Sequence, residues 1–524
     1  MHPIEIVIML LCFVVALSVF ARRLQIVFPV LLTLAGLIIG FIPGLPQVVL
    51  EPSIVLLVFL PPILYSAAWY TNWREFKRNM EPITVLALGL VIATCVAIAY
   101  TAHALLPGFT LAMGFLLGAI ISPPDAVAAT AVLKQVSVPK KVVTILEGES
   151  LVNDASALIA FQFALVAITT GHFSLMEATG KFVWVVSGGI AMGLLVGYAA
   201  YYVHKYFQLE PALETMLTFV TAYGAYLAAE KFHLNGVLAV VTAGLFMGSK
   251  QSRLHSPVMR MQAVAVWDFV MAFLNSLIFI LIGLQLPHII KHIDTDDLPH
   301  LILYGTIISV VATVLRFGYI FLADFISGRI RKRLRVPVVF SSLKHTTVLA
   351  FTAMRGVVSL AAAFSIPLLL DDGTAFPQRD MLLFITFFVV LFTLVLQGVL
   401  LPWLVKTLKF NQDNTEHNHQ YLIKQLLSET AYQKVNDIII AEKLNAEIAH
   451  KIRDWHHHKL LHNINATDVN TAEEKMIAHK LQLASITARR QKLHQLNDKG
   501  EIDVELFHSL ENELDLEETR IKRD

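Results

Sequence analysis

Two carboxylates, Glu149 and Asp154, stand inside one apolar stretch that reads GESLVND from Gly148. The flanks, from Val142 out to Ile168, are hydrophobic enough to cross a bilayer. An ionised carboxylate near a bilayer centre costs at least ~2.5–3.5 kcal/mol on insertion scales, so an intramembrane acid is a functional candidate by default. The chemistry open to such groups is the binding of cations and protons. On a helix of about 3.6 residues per turn, Ser150 and Asp154 share a face, Glu147 lies near it, and Glu149 points elsewhere. This spacing predicts that Asp154, with Ser150, faces a cavity shared with Asp125, while Glu149 faces another helix with Arg355 as its partner. Asn153 cannot titrate. It either orients Asp154 by hydrogen bonding or ties helices together.

Two further segments carry chemistry at mid-span. In Ser122-Pro123-Pro124-Asp125 the adjacent prolines remove two backbone donors, and each ring clashes with the preceding turn, so a regular helix cannot continue. One reading is a kink relieved by neighbouring helices. The other is a binding site, because an acid follows the break directly. In Met354-Arg355-Gly356-Val357-Val358-Ser359 an arginine sits in the bilayer core beside a glycine that permits irregular backbone. A hard monovalent ion takes oxygen ligands, as the alkaline-earth cations do. Carboxylates, the Ser150 hydroxyl and carbonyls freed by a broken helix supply them. A single carboxylate in such a site holds either a proton or a cation, and competition combined with alternating access yields exchange.

The elements that position these residues follow from composition. Of 524 residues, 56% are hydrophobic and 15% charged, against about 25% charged in a soluble globular protein. The deficit lies before Lys409, which predicts a membrane domain over 1–408 and a soluble helical tail over 409–524. At about 20 residues per crossing the apolar runs predict about thirteen spans: Ile4–Ala21, Ile26–Ile42, Val48–Trp69, Ile83–Leu106, Leu111–Leu133, Val142–Ile168, Phe182–Val203, Ala212–Ala229, Gly236–Gly248, Ala263–Leu286, Leu301–Ala323, His345–Leu370 and Met381–Val405. The first is read as a retained helix, since it lacks a basic preceding region and a small-residue cleavage site. Basic loops alternate with neutral or acidic ones: Arg22-Arg23, Arg74–Arg78, Lys134 with Lys140-Lys141, His204-Lys205, Lys250–Arg260 and Arg329–Arg335 on one side, Asp294–Asp297 and Asp371-Asp372 on the other. The positive-inside rule puts the N-terminus outside and the tail in the cytoplasm. The fifth and twelfth spans, both interrupted, run in opposite directions, which is the topological mark of inverted repeats around a midplane site.

The motifs SPPDAVA, GESLVNDASAL and MRGVVSLAAAFSIPL, with FLPP early and LIGLQLP in the tenth span, resemble the bacterial Na+/H+ antiporters of the monovalent cation:proton antiporter-1 family. The resemblance covers the membrane domain in the family's order. It implies an all-α polytopic fold with two crossed, interrupted helices, a homodimer in the inner membrane, and elevator-like movement. It places the ion-site acid on Asp154, with Asp125, Glu149 and Ser150 in support, and the structural arginine on Arg355. The Asn153-Asp154 pair marks the electroneutral class. The chain departs from the family at Pro124, where many members have Thr, at Ser66, where many carry an acid, and at Asp268, where Glu is expected after Trp267.

A net charge of +1 and the lack of a basic, aromatic-interleaved run give no support to nucleic-acid binding. Cys12 and Cys95 lie in apolar runs and suggest neither a disulfide framework nor a metal site. No HExxH motif and no Ser-Lys or Ser-His pair at midplane suggests an intramembrane enzyme, and no cofactor is expected. The leading expectation is secondary-active Na+/H+ exchange, with Na+ held by Asp154 and Asp125 and with Ser122, Asn153, Glu147 and Arg355 in support. The alternatives are a K+- or Li+-preferring exchanger, or a channel or sensor on the same scaffold. In the tail, Ala431–Ile448 and Ile477–Leu516 are expected to be helical and regulatory or dimerising. His456-His457-His458 with His462 is either a metal or pH site or a solvated polar face.

Overall fold

Residues 12–17, 28–42, 52–71, 73–125, 133, 140–170, 175–207, 209–250, 257–290, 293, 297–334, 343–352, 354–370, 373–408, 414–441, 472–499, 501–502 and 504–523 are described by the computed structural model. Among them there is no β-strand; a single bridge, Leu369 to Ala375, closes the turn at Gly373. The helices, in chain order, are α1 Phe28–Gly40, α2 Pro52–Tyr70, α3 Trp73–Arg78, α4 Met80–Leu105, α5 Leu111–Ile121, α6 Lys140–Thr170, α7 Leu175–Phe207, α8 Pro211–Lys231 and α9 Gly236–Gly248. They continue with α10 Pro257–Ile290, α11 Leu298–Leu334, α12 Leu343–Phe351, α13 Val357–Phe364, α14 Arg379–Leu408, α15 Asn414–Ala441, α16 Ala472–Lys499 and α17 Val504–Arg523.

Six of the described helices are long and apolar enough to cross a membrane, lying within α4, α6, α7, α10, α11 and α14, and shorter apolar helices lie within α1, α2, α5 and α9. Apolar side chains at helical spacing stay exposed, for example Ile92, Val96 and Tyr100 on α4 and Val310, Val314 and Phe321 on α11. Rows of that kind suit a lipid environment, because soluble surfaces rarely carry contiguous apolar patches of this size.

Close packing around the site rests on small residues. Gly114 and Gly118 form a GxxxG pair on α5; a Cβ at either would come 2.8 Å from the Cα of Ala99 or Cys95 on α4. Backbone approach of this kind is how helices associate where lipid removes the hydrophobic drive. It seats the C-terminal end of α5, where the first break occurs. Thr110 fixes its start, its hydroxyl accepting from Met113 N at 3.3 Å. In α2, Pro61 and Pro62 lie inside a continuous helix. The prolines leave the Val58 carbonyl without its helical donor, and the Tyr223 hydroxyl donates to it at 3.2 Å.

The chain divides into two compact units, the first spanning 1–208, 216–253 and 266–410, the second 209–215, 254–265 and 411–524. In the second, Ile423, Leu427, Leu493, Leu496, Phe507, Leu510 and Leu514 form an apolar core. A charged cluster joins the start of α10 to α17: Arg260 donates to Asp515 from Nε at 2.9 Å and from Nη2 at 2.5 Å. Arg490 reaches Asp515 at 2.8 Å and Glu518 at 2.6 Å. The histidines at 456–458 and 462 lie outside the described residues.

Candidate cation site

The site begins with backbone accounting at the first break. Pro123 and Pro124 have no N–H, so the carbonyls of Ala119 and Ile120 lose their helical donors. The Ser122 hydroxyl donates to Ala119 O at 3.1 Å. In a continuing helix the Asp125 N–H would serve Ile121 O. Instead it donates across to Met354 O at 2.6 Å, inside the second break. Ile121 O accepts from Arg355 Nε at 2.8 Å. Each interruption thus satisfies polar groups that the other leaves over, as buried backbone requires. The Arg355 N–H adds a bond to Thr393 Oγ1 on α14 at 3.4 Å.

Gly356 is the N-cap of α13, and the Asp125 carboxylate packs directly on its Cα; any Cβ there would overlap the carboxylate. The glycine is needed for close approach rather than for an unusual φ. An acid at a helix N-terminus also meets the favourable end of the helix dipole.

A cavity of about 340 Å³ opens at these breaks. It is lined by Pro123, Pro124 and Asp125 from the first break, by Glu147, Ser150, Leu151 and Asp154 from α6, and by Gly356, Val358 and Ser359 around the second. Ile63, Leu64, Ala67 and Tyr70 of α2 and Asp268 and Asn275 of α10 complete it. The α6 residues follow helical spacing, so the face expected from the sequence is the face that lines the cavity. Asp154 is 6% exposed. Asn153 does not line the cavity; it is fully buried, and its amide has no hydrogen-bond partner among the described residues.

Glu149 departs from expectation. It points away from the cavity, as its helical position requires, but its partner is Arg316 of α11 and not Arg355. Arg316 Nη1 donates to Oε1 at 2.6 Å and Nη2 to Oε2 at 3.0 Å, a two-pronged pair with both side chains almost fully buried. Nη2 also donates to Leu349 O at 3.2 Å, just before the second break. The planar guanidinium matches a carboxylate in a way that lysine cannot. Arg355 is instead turned towards the first break, where its Nε serves the carbonyl released by the prolines. Arg316 was readable as a lone arginine inside the apolar run Leu301–Ala323, the same signal that singled out Arg355. Ser359 and Asn275 were also not assigned to the site from sequence.

Expectations for residues 126–132, which would continue the fifth span, lie outside the described residues. Among the described residues no group of three or more His, Cys, Asp or Glu has the arrangement of a metal centre. The cavity offers a few carboxylates, hydroxyls and carbonyls in a low-dielectric setting, a donor set suited to a transient hard cation.

The transmembrane sodium/hydrogen exchanger family matches residues 7–407. A sodium, potassium, lithium and rubidium/H+ antiporter of Bacillus pumilus is 32% identical over 497 residues, covering 91% of this chain and 72% of that protein. A Na+/H+ antiporter of Aphanothece halophytica is 34% identical over 394 residues, covering 75% and 71%. The sodium/proton antiporter MjNhaP1 of Methanocaldococcus jannaschii, solved at pH 8, shares the fold with a TM-score of 0.59 at 21% identity, covering 77% of this chain and 98% of that one. With residues 7–407, well over half of its length, matched in this way, the chain belongs to the sodium/hydrogen exchanger family.

Proposed function

We propose that the chain is a monovalent cation/proton antiporter and that Asp154 carries the proton or the cation in turn, with Asp125 and Ser150 beside it. The observation that carries this reading is the cavity in which these three side chains meet between two mutually bonded helix breaks. Burial favours the protonated form of a carboxylate and a bound cation favours the charged form, so one site serves both ions in competition. The empty, ionised site is the state least suited to crossing the barrier, and this enforces exchange rather than leak.

Family membership and the relatives' names support the class of transport. The finer reading is ours: about thirteen spans in two inverted repeats, with the two interrupted helices crossing; a homodimer in the inner membrane; residues 1–408 as the transport domain; and residues 409–524 as a cytoplasmic regulatory or dimerising tail. The Asn153-Asp154 pair supports electroneutral exchange through the resemblance. A broader cation preference than Na+ alone is favoured by the Bacillus pumilus relative, whose name includes K+, Li+ and Rb+.

The test is exchange in proteoliposomes with Na+, Li+ and K+ across pH, with and without an imposed voltage. Asp154→Asn is expected to abolish exchange while the protein still reaches the membrane. Full exchange in that variant would remove Asp154 from the mechanism. Currents without obligatory proton movement would instead make the protein a channel.

A further inference from the structure

Hydroxyls inside helices ordinarily donate back to a carbonyl three or four residues earlier. This chain does so repeatedly: Thr94 to Leu90, Ser156 to Val152, Ser276 to Ala272 and Ser309 to Gly305, between 2.6 and 3.0 Å. Ser359 does not. Its side chain is 1% exposed, and its Oγ has no hydrogen-bond partner among the described residues. Its place in the fold explains why. α13 begins at Val357, so the residues three and four before Ser359 are Gly356, the N-cap, and Arg355, which lies in the break. The Gly356 carbonyl accepts from Leu360 N at 3.4 Å.

A buried hydroxyl without a partner is unfavourable, and native structures seldom tolerate one without reason. Ser359 is among the residues that line the same cavity as Asp125, Ser150 and Asp154. It stands three residues beyond Gly356, on which the Asp125 carboxylate packs. The residue directly before Asp125 is Pro124, which also lines the cavity and has no side-chain hydroxyl.

We propose that Ser359 Oγ is a neutral oxygen ligand of the transported monovalent cation, approaching from α13 while Ser150 and Asp154 approach from α6. An ion entering the cavity loses water and needs replacement oxygens. Lone pairs on Ser359 Oγ supply one without adding charge, which leaves the exchange of one cation for protons unaltered. Because selectivity among Li+, Na+ and K+ depends on the number and strength of such dipoles, Ser359 is a specificity-determining residue. The proposal rests on the reading of this cavity as the exchange site.

The experiment compares Ser359→Ala, Ser359→Thr and Asp154→Asn in the full-length protein reconstituted in proteoliposomes, with Li+, Na+ and K+ each tested at fixed pH. In Ser359→Ala the apparent KM for Na+ should rise about tenfold, the factor for losing one contact to a charged group, with the order of preference among the three ions altered. Ser359→Thr, which keeps the hydroxyl, should stay within about twofold of the parent protein. Unchanged KM values and preference in Ser359→Ala, while Asp154→Asn is inactive, would overturn the proposal and leave the site reading intact. Exchange surviving in Asp154→Asn would strike the site reading itself. Should Ser359→Ala lose transport, thermal stabilisation of the purified protein by added Na+ or Li+ decides: a weakened cation dependence supports the ligand role, and a dependence equal to that of the parent refutes it.

Discussion

Removing the Arg316 guanidinium strands Glu149 as a bare carboxylate that is 1% exposed. Breaking a buried ion pair by deleting one partner costs about 3–5 kcal/mol, because the remaining charge has neither water nor a counter-ion. Arg316 also donates to Leu349 O at 3.2 Å, and loss of that bond adds about 1 kcal/mol. Arg316→Met is therefore expected to destabilise by roughly 4–6 kcal/mol. Glu149→Gln leaves the guanidinium buried with only a neutral amide to meet it, and should lose about 3–5 kcal/mol. The double variant Glu149→Gln/Arg316→Met contains no stranded charge. Its remaining losses are the Leu349 bond and an imperfectly satisfied amide, about 2–3 kcal/mol together. The double variant should accordingly be more stable than either single one, and the coupling energy should be at least about 4 kcal/mol in the favourable direction.

The assay is reversible unfolding of the four purified full-length proteins in detergent, closed as a double-mutant cycle. Single losses that add within about 0.5 kcal/mol would refute the reasoning, since they would mean that the two groups do not sense each other. Exchange supplies a second check. Neither residue lines the cavity, so the double variant should keep the parent's order of preference among Li+, Na+ and K+ even if its rate falls. An altered order would bring the pair into the ion site.

Two further outcomes follow from the geometry. Gly356→Ala places a methyl where the Asp125 carboxylate packs, so it should push that carboxylate off the second break and reduce exchange at least tenfold, read as the initial rate in proteoliposomes; parent-like exchange would show that the contact is dispensable. In the tail, burial raises the Glu511 carboxyl from 4.5 to about 7, with Arg260 and Arg490 opposing the rise and Asp515 adding to it, and His494 Nε2 lies 3.5 Å from the same carboxylate. A carboxyl raised in the folded state gives its full contribution below pH 4.5 and loses it as pH climbs to about 7, a change of up to roughly 3 kcal/mol. Proteolysis of the tail in the full-length protein, normalised to a peptide standard, should accelerate across that window and level off above it. Glu511→Gln should flatten this slope, and an unchanged slope would assign it to another group.

Much of this arrangement is legible in the residues because the governing physics is local. The short helix Gly236–Gly248 begins and ends where the apolar run does. The double proline at 123–124 ends α5 after Ile121, and the i, i+4 spacing of Ser150 and Asp154 puts both on the cavity. The same dipeptide at Pro61-Pro62 shows where local physics stops. There the helix runs on, sustained by the hydroxyl of Tyr223 on a helix remote in sequence. Nothing in the proline pair distinguishes a kink from a break; what distinguishes them is which distant donors and acceptors the fold brings to the freed carbonyls.

The partner of Glu149 belongs to the same class of long-range fact, and it changes how the charges of the core are understood. Helical geometry says which way Glu149 points but not what waits there. Arg355 Nε is committed to the Ile121 carbonyl at 2.8 Å, which without it would be a buried, unmet acceptor at the first break. With Arg316 taking Glu149, the two arginines divide the task. Arg316 cancels a carboxylate outside the cavity and steadies the end of α12 through Leu349, while Arg355 fastens the second break to the first. The acids that line the cavity, Asp125, Glu147, Asp154 and Asp268, are a separate set from the Glu149 pair. In the proposed exchange it is this face, and not Glu149, that meets the cation or the proton, while the arginine contacts hold the two breaks together.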